Sequence, residues 1–212
     1  MPGHALQERV ELAETFRSTE PTAPTLCGEW SAAQLAAHLV LRERSATELL
    51  GRVPSPRAHK IAQRALDTYV AQNPYRDIVT AFADGPPFWS PLGLPPAREA
   101  VNLLEYFIHH EDVRRAADGW VPRVLPVQRQ DAVWARLRWG ARLTLRAMPV
   151  PVRLVWPDHG EVSVGRGDAA VTVTGPPEEL ALVAFGRQQV ARVEYDGPDE
   201  AVRRVRGADI AV

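Results

Sequence analysis

Apolar residues recur every three or four positions over much of the first two thirds of the chain, which is the spacing of an amphipathic helix. The pattern is clear from Leu6 to Phe16 and predicts a first helix there. Ser31, followed by Gln34 three residues later, fits a capping box and predicts that a second helix begins at that point. In all, the pattern predicts five helical regions, at residues 4–17, 31–50, 57–83, 97–117 and 127–146.

Two stretches interrupt this helical pattern. Asn73-Pro74 lies within the third region and predicts a break or kink, because proline removes a backbone donor and restricts the residue before it. Residues 85–96, with the sequence GPPFWSPLGLPP, hold five prolines and cannot form a regular element. Phe88 and Trp89 within them are apolar, so we expect this segment to pack over other residues. It could line a substrate pocket at the mouth of the helical bundle or plug one end of the core.

The periodicity changes after Met148. Short runs rich in β-branched residues predict strands, and two further stretches predict helices. The predicted strands are residues 152–156, 161–164, 170–174 and 190–195, and the predicted helices are residues 176–187 and 198–206. The predicted fold class is therefore α plus α+β. A four-helix-type bundle of about five helices covers residues 1–148, and a small α+β domain covers residues 149–212.

Composition and charge narrow the range of partners. Apolar residues make up 45% of the 212 residues and charged residues 24%, which is typical of a globular protein. The net charge is -1, so the overall charge provides no electrostatic attraction to nucleic acid. No apolar stretch approaches the roughly 20 residues that span a bilayer, and the N-terminus lacks the pattern of a secretory signal. Cys27 is the single cysteine and cannot form an internal disulfide. We expect a cytoplasmic protein, monomeric or homodimeric, that acts on small molecules without nucleic acid or membrane.

Three residues that can bind a metal lie on predicted helix faces that are otherwise apolar. Glu105 and His109 are four residues apart in the fourth helix, so their side chains lie one turn apart on the same face. His38 falls beside Leu35 and Leu39 on the face of the second helix that must pack inward. Two imidazoles and a carboxylate form one of the ligand sets of catalytic zinc sites. The alternative is that the core histidine is structural and the Glu-His pair lies on the surface.

The other candidate residues near this face have less specific roles. Asp112, one turn beyond His109, could accept the ring N–H of that ligand histidine, or it could cap the helix or pair with Arg115 or Arg42. His110 points about 100° away from His109, so the interpretation as a structural histidine is favoured.

Cys27 is the only thiolate available to a softer metal, and it precedes the second helix by a few residues. A position near the helix N-terminus would lower the pKa of its thiol, but a small buried apolar residue is the favoured interpretation.

Three segments of the sequence together resemble the mycothiol-dependent maleylpyruvate isomerase family of actinobacteria, which belongs to the DinB-like metal-binding bundles. They are TLCGEWS at residues 25–31, LAAHL at residues 35–39 and EYFIHHEDVRR at residues 105–115. The resemblance covers nearly the whole chain, because those isomerases also carry a small C-terminal α+β domain similar to sterol carrier proteins, which matches residues 152–212. It implies a DinB-like bundle followed by a sterol-carrier-like domain.

By position, the resemblance makes His38, Glu105 and His109 the ligands of zinc or another divalent metal. It implies an open coordination position for the thiol of mycothiol, whose sulfur would attack an electrophilic small molecule. The expected function is that of an isomerase or S-transferase. The alternatives are a metal or small-ligand binding protein without turnover, and a metal-dependent hydrolase. The family binds its acidic substrate with arginine, and the C-terminal candidates are Arg166, Arg187 and Arg203, each of which could equally be a solvated surface residue.

Overall fold

The computed structural model describes residues 3–45 and 55–210. These residues form eight α-helices and a four-stranded mixed sheet. The chain divides into two compact units, residues Met1–Trp120 and Val121–Val212. Across the described residues, no helix combines the length and apolar character needed to span a bilayer.

The described residues of the first unit form five α-helices. They are α1 (His4–Arg17), α2 (Ala32–Arg44), α3 (Pro56–Gln72), α4 (Tyr75–Asp84) and α5 (Pro95–Arg114). Helix α1 packs against α5 and α4, and α2 packs against α4 and α3. The core consists of large apolar side chains that these helices bury completely. They include Leu12, Phe16, Leu35, Leu39, Leu66, Ile78, Phe82, Leu103 and Phe107.

The predicted start of the second helix and the break in the third region are both confirmed. The Ser31 hydroxyl accepts a hydrogen bond from the Gln34 backbone N–H at 3.4 Å, and the Gln34 side-chain oxygen accepts one from the Ser31 N–H at 3.0 Å. This capping box fixes where α2 begins, close to the face that carries His38. Helix α3 ends and α4 begins around Asn73-Pro74. Residues 46–50 of the predicted second helix lie outside the described residues.

The expectation that Phe88 and Trp89 pack over other residues is wrong. Phe88 is 96% exposed and Trp89 is 59% exposed. Residues 85–94 are held instead through polar groups: Ser90 is buried, and the Leu92 carbonyl, in the 3-10 turn Pro91–Gly93, accepts a hydrogen bond from Asn102 of α5. Residues 85–94 include three prolines, which lack a backbone donor, and the contact from α5 to a backbone carbonyl helps to fix the segment.

The second unit combines helices with a small sheet. In chain order it contains α6 (Val127–Thr144), β1 (Val152–Trp156), β2 (Gly160–Val164), β3 (Val171–Thr174), α7 (Pro177–Ala184), β4 (Glu194–Asp196) and α8 (Asp199–Arg206). The strand order is β2-β1-β3-β4. Strands β1 and β3 are parallel, and β2 and β4 pair antiparallel to them at the two edges.

The two compact units do not follow the predicted boundary at residues 148 and 149, because α6 belongs with the sheet. Leu137 and Ala141 of α6 lie in the same buried cluster as Val152 and Leu154 of β1. Helix α6 also packs against α7. Periodicity locates the change from helix to strand, but it does not show which core the apolar face of a helix will contact.

Candidate metal centre

Helices α2 and α5 bring His38, Glu105 and His109 together. The Oε1 atom of Glu105 lies 3.5 Å from Nε2 of His38 and 3.5 Å from Nε2 of His109. The two imidazole rings have centroids 5.3 Å apart and are nearly perpendicular. All three side chains are mostly buried. The potential ligand atoms of the three residues lie within 4.8 Å of one another.

The spacing of these atoms fits a divalent metal better than a set of direct hydrogen bonds. A distance of 3.5 Å from each ring nitrogen to the Glu105 oxygen is longer than the usual 2.7–3.2 Å of an N–H···O bond. Two atoms that each bind a tetrahedral zinc ion at about 2.0–2.1 Å lie about 3.4 Å apart. Two imidazole nitrogens and a carboxylate oxygen also suit zinc in their chemistry.

Asp112 contacts the ring nitrogen of His109 that is not directed at Glu105. Its Oδ2 atom is 2.9 Å from Nδ1 of His109, and the carboxylate is fully buried. A carboxylate that accepts the Nδ1 proton orients the ring so that Nε2 faces Glu105. Of the two arginines that the sequence offers as partners of Asp112, Arg115 pairs with Glu111 and Arg42 pairs with Glu105.

Charges within the centre shift two pKa values in opposite directions. Burial by itself lowers the pKa of His109, but its interactions with Asp112, Cys27 and Glu105 outweigh burial and hold this pKa well above 6.5. Burial raises the pKa of Glu105, but the two histidines and Arg42 outweigh it and hold this pKa well below 4.5. These shifts favour a proton on His109 and a negative charge on Glu105, so a metal that binds Nε2 of His109 would compete with a proton there.

Cys27 lies beside the same histidine, which the sequence analysis did not anticipate. Cys27, His109 and Asp112 form a second group whose potential ligand atoms lie within 4.8 Å of one another. The backbone N–H of Leu26 donates to the Asp112 carbonyl at 3.0 Å and holds the loop before α2 against α5. Cys27 is partly exposed, so the favoured interpretation as a buried apolar residue is wrong. No local pattern in the sequence predicts this contact between a loop and a distant helix.

His110 lies on a different face of α5, the face that packs against α1. Its Nδ1 lies 2.7 Å from Oε1 of Glu8, and its Nε2 lies 2.8 Å from the hydroxyl of Thr15. Both partners belong to α1. Glu8, Glu11 and His110 form a further group with the geometry for a metal. His110 thus links two packed helices, in agreement with the structural role predicted for it.

Arg42 has a role that the sequence analysis did not assign. Its Nε lies 3.1 Å from Oε1 of Glu105, and its Nη1 donates to Oδ1 of Asn102 at 2.8 Å. Arg42 is four residues after His38 on α2, so both side chains face α5. The i, i+4 spacing was the available signal, but an arginine near a helix end is ordinarily a surface residue.

The three C-terminal arginines proposed for substrate binding lie in the second unit. Arg166 is exposed, and Arg203 is exposed and pairs with Glu200 at 2.6 Å. Arg187 donates to the backbone carbonyl of Phe185. These contacts suit surface and loop residues and do not single out one arginine.

No protein family model matches the chain, and no curated protein matches it. Among solved structures, the fold of this chain is similar to that of an isomerase. Two crystal structures of the mycothiol-dependent maleylpyruvate isomerase match at TM-scores of 0.51 and 0.53, with 16% and 15% sequence identity. The second of these is a histidine-to-alanine mutant of that isomerase.

Both comparisons cover 94% of this chain and 98% of the isomerase chain. The resemblance that the sequence motifs indicated is therefore confirmed at the level of the fold, over nearly the whole length.

Proposed function

We propose that this chain is a metal-dependent enzyme that uses a low-molecular-weight thiol such as mycothiol, as an isomerase or an S-transferase. In this proposal His38, Glu105 and His109 hold a divalent ion, with zinc as the preferred metal. The observation that supports it most directly is the position of the Glu105 oxygen, 3.5 Å from a ring nitrogen of each histidine. The fold shared with a mycothiol-dependent isomerase supports the choice of thiol.

The chain's own residues would prepare the centre for this chemistry. A divalent ion supplies Lewis acidity, which favours the deprotonated form of a thiol at neutral pH. Asp112 holds the His109 ring in one orientation through Nδ1, and Arg42 holds the Glu105 carboxylate. Trp30, whose ring centroid lies 5.0 Å from that of His38, covers one side of the centre and limits access of water.

The positions of the acidic residues favour thiol chemistry over hydrolysis. A metal-dependent hydrolase needs a general base near the nucleophilic water. Glu105 belongs to the proposed ligand set, and the Asp112 carboxylate is buried against His109. Neither is placed to act as that base.

The first test is metal content after native purification. Wild-type protein is expected to contain about one zinc or similar ion per chain, and His38→Ala, Glu105→Gln and His109→Ala are expected to lose it. His59→Ala is the matched control, because His59 is an exposed histidine on α3 and is expected to leave the metal content unchanged. A wild-type protein that carries no metal and binds no added zinc contradicts the proposal.

The second test separates an enzyme from a binding protein. The zinc-loaded protein is incubated with mycothiol and a panel of electrophiles, including maleylpyruvate, and both loss of free thiol and isomerisation of the electrophile are followed. Turnover that Glu105→Gln abolishes supports the thiol-dependent enzyme. Metal binding without turnover or thiol loss across the panel supports the non-catalytic alternative.

A further inference from the structure

A chain of polar contacts leads away from the candidate metal centre to residues 85–94. Arg42 contacts Oε1 of Glu105 through Nε at 3.1 Å and donates from Nη1 to Oδ1 of Asn102 at 2.8 Å. The Nδ2 group of Asn102 then donates to the Leu92 carbonyl at 3.1 Å. The Arg42 side chain is only 6% exposed, and Asn102 is completely buried.

The direction of each hydrogen bond in this chain follows from the chemistry of the groups. A guanidinium has only donors, and a backbone carbonyl has only lone pairs. Asn102 lies between them, so its amide oxygen must face Arg42 and its amide nitrogen must face Leu92. Arg42 in turn uses two different nitrogens for its two partners, which fixes the plane of the guanidinium relative to the Glu105 carboxylate.

The two helices contribute to this chain in the same way. Helix α2 carries His38 and, one turn later, Arg42. Helix α5 carries Glu105 and, one turn earlier, Asn102. Each helix therefore supplies at least one proposed ligand and one residue of the series of polar contacts that leads to Leu92. Leu92 belongs to the 3-10 turn Pro91–Gly93, close to the exposed Phe88 and Trp89.

We propose that Arg42 and Asn102 are positioning residues that fix the Glu105 carboxylate for the metal and couple residues 85–94 to the centre. This inference rests on the proposed function, since it concerns the same metal. Arg42 contacts the same Oε1 atom that lies 3.5 Å from each imidazole, and this contact restricts rotation of the carboxylate. Asn102 holds Arg42 in that orientation and ties it to the Leu92 carbonyl.

The first experiment measures zinc affinity by competition with a chromophoric chelator. Arg42→Lys keeps the positive charge but cannot contact Glu105 and Asn102 with the same geometry, and Asn102→Leu removes both amide contacts at similar volume. Each is expected to weaken zinc binding about 10- to 100-fold, as is usual for residues that orient metal ligands. Arg44→Lys is the matched control, because Arg44 lies on the same helix and donates to the Ala81 carbonyl.

Two further readouts separate positioning from a general effect on packing. The visible spectrum of the cobalt-substituted protein is expected to change in Arg42→Lys and to stay unchanged in Arg44→Lys. Thermal unfolding of the metal-free proteins shows whether each variant folds. If folded Arg42→Lys and Asn102→Leu both bind zinc with wild-type affinity, the positioning role is overturned. If wild-type protein itself binds no zinc, the proposed function fails first.

The coupling is tested by hydrogen-deuterium exchange. Zinc is expected to slow exchange of the backbone amides within residues 88–94 in the wild-type protein, because it immobilises Glu105 and hence Arg42 and Asn102. This effect is expected to disappear in Asn102→Leu even at zinc concentrations that saturate the variant. Exchange in residues 88–94 that zinc leaves unchanged in the wild type, or slows equally in the variant, overturns the coupling.

Discussion

The two faces of α5 carry similar residues in different arrangements. On one face, His110 has both ring nitrogens within 2.8 Å of an oxygen of Glu8 or Thr15. On the other, His109 has Nδ1 at 2.9 Å from Asp112, whereas its Nε2 is 3.5 Å from Glu105. Both faces combine histidine with carboxylates, and both have the spacing of a metal site. The two faces therefore differ in the contact of the second ring nitrogen, which lies 2.8 Å from the Thr15 hydroxyl at His110 and 3.5 Å from the Glu105 carboxylate at His109.

The largest expected effect comes from replacing each of these neighbouring histidines in turn. His109→Ala is expected to abolish zinc binding, and it also destabilises the metal-free protein because it leaves the buried Asp112 carboxylate without this partner. His110→Ala is expected to keep one zinc per chain but to lower the free energy of unfolding by about 1–3 kcal/mol, because it leaves the buried Glu8 without this partner. Elemental analysis and urea unfolding measure the two effects.

Loss of zinc from His110→Ala, with zinc retained in His109→Ala, would assign the metal to the other face. In that case Glu8 and Glu11 would be the next residues to replace. Thr15→Val is a second probe of the His110 face, since it removes the hydroxyl contact and keeps the volume of the side chain.

The pH dependence of zinc binding is the next largest effect. His109 must lose its proton to bind zinc, and its pKa in the metal-free protein lies well above 6.5. Zinc affinity is therefore expected to fall as pH is lowered through neutrality, by up to about tenfold per pH unit for one displaced proton. Glu105 stays ionised over this range, because its pKa lies well below 4.5. Isothermal titration in buffers of different ionisation enthalpy measures the proton released.

Protonation of His109 weakens zinc binding, but it stabilises the fold of the metal-free protein. A histidine whose pKa is higher in the folded state stabilises the fold fully below its unfolded pKa, and this contribution is lost as pH rises through the folded pKa. Unfolding of the metal-free wild type is thus expected to become easier as pH rises from about 6.5 toward the higher folded pKa of His109, with no further change from this group above that pKa. Asp112→Asn is expected to reduce this dependence, and an unchanged profile would show that Asp112 does not hold the proton.

The smallest expected effect is that of Cys27→Ser, which distinguishes the two ligand groups that share His109. We expect the variant to keep one zinc per chain with less than about tenfold loss of affinity, since a hydroxyl still hydrogen-bonds to an imidazole. The cobalt-substituted wild type is expected to lack the near-ultraviolet charge-transfer band of a sulfur ligand. A band that is present in the wild type and absent in Cys27→Ser would place Cys27 among the ligands.

Local sequence patterns predict much of this fold. The apolar periodicity of α1, the capping box at Ser31 and the break at Asn73-Pro74 each involve residues only a few positions apart, and all three are present in the structure. The helical spacing of Glu105 and His109 likewise places both side chains on one face. Whether they bind a metal remains a prediction.

Features that depend on contacts between distant segments could not be predicted in the same way. Cys27 reaches His109 because Leu26 bonds to the backbone of α5, and Arg42 reaches Glu105 across two helices. The grouping of α6 with the sheet depends on which core its apolar face contacts. In each case the sequence identifies a polar residue or an apolar helix face, but it does not predict which distant residues that residue or face will contact.

The 105, 109, 112 spacing on α5 has a consequence for how the protein can vary. At about 100° per residue, deleting one residue between Glu105 and His109 would place the present His110 four positions after Glu105. Val113 would then follow three positions later, where Asp112 now follows His109. The ligand histidine would be replaced by another histidine, but its supporting carboxylate would be lost. A change of length in this part of α5 therefore removes the centre in one step, even though it leaves a histidine at the ligand position.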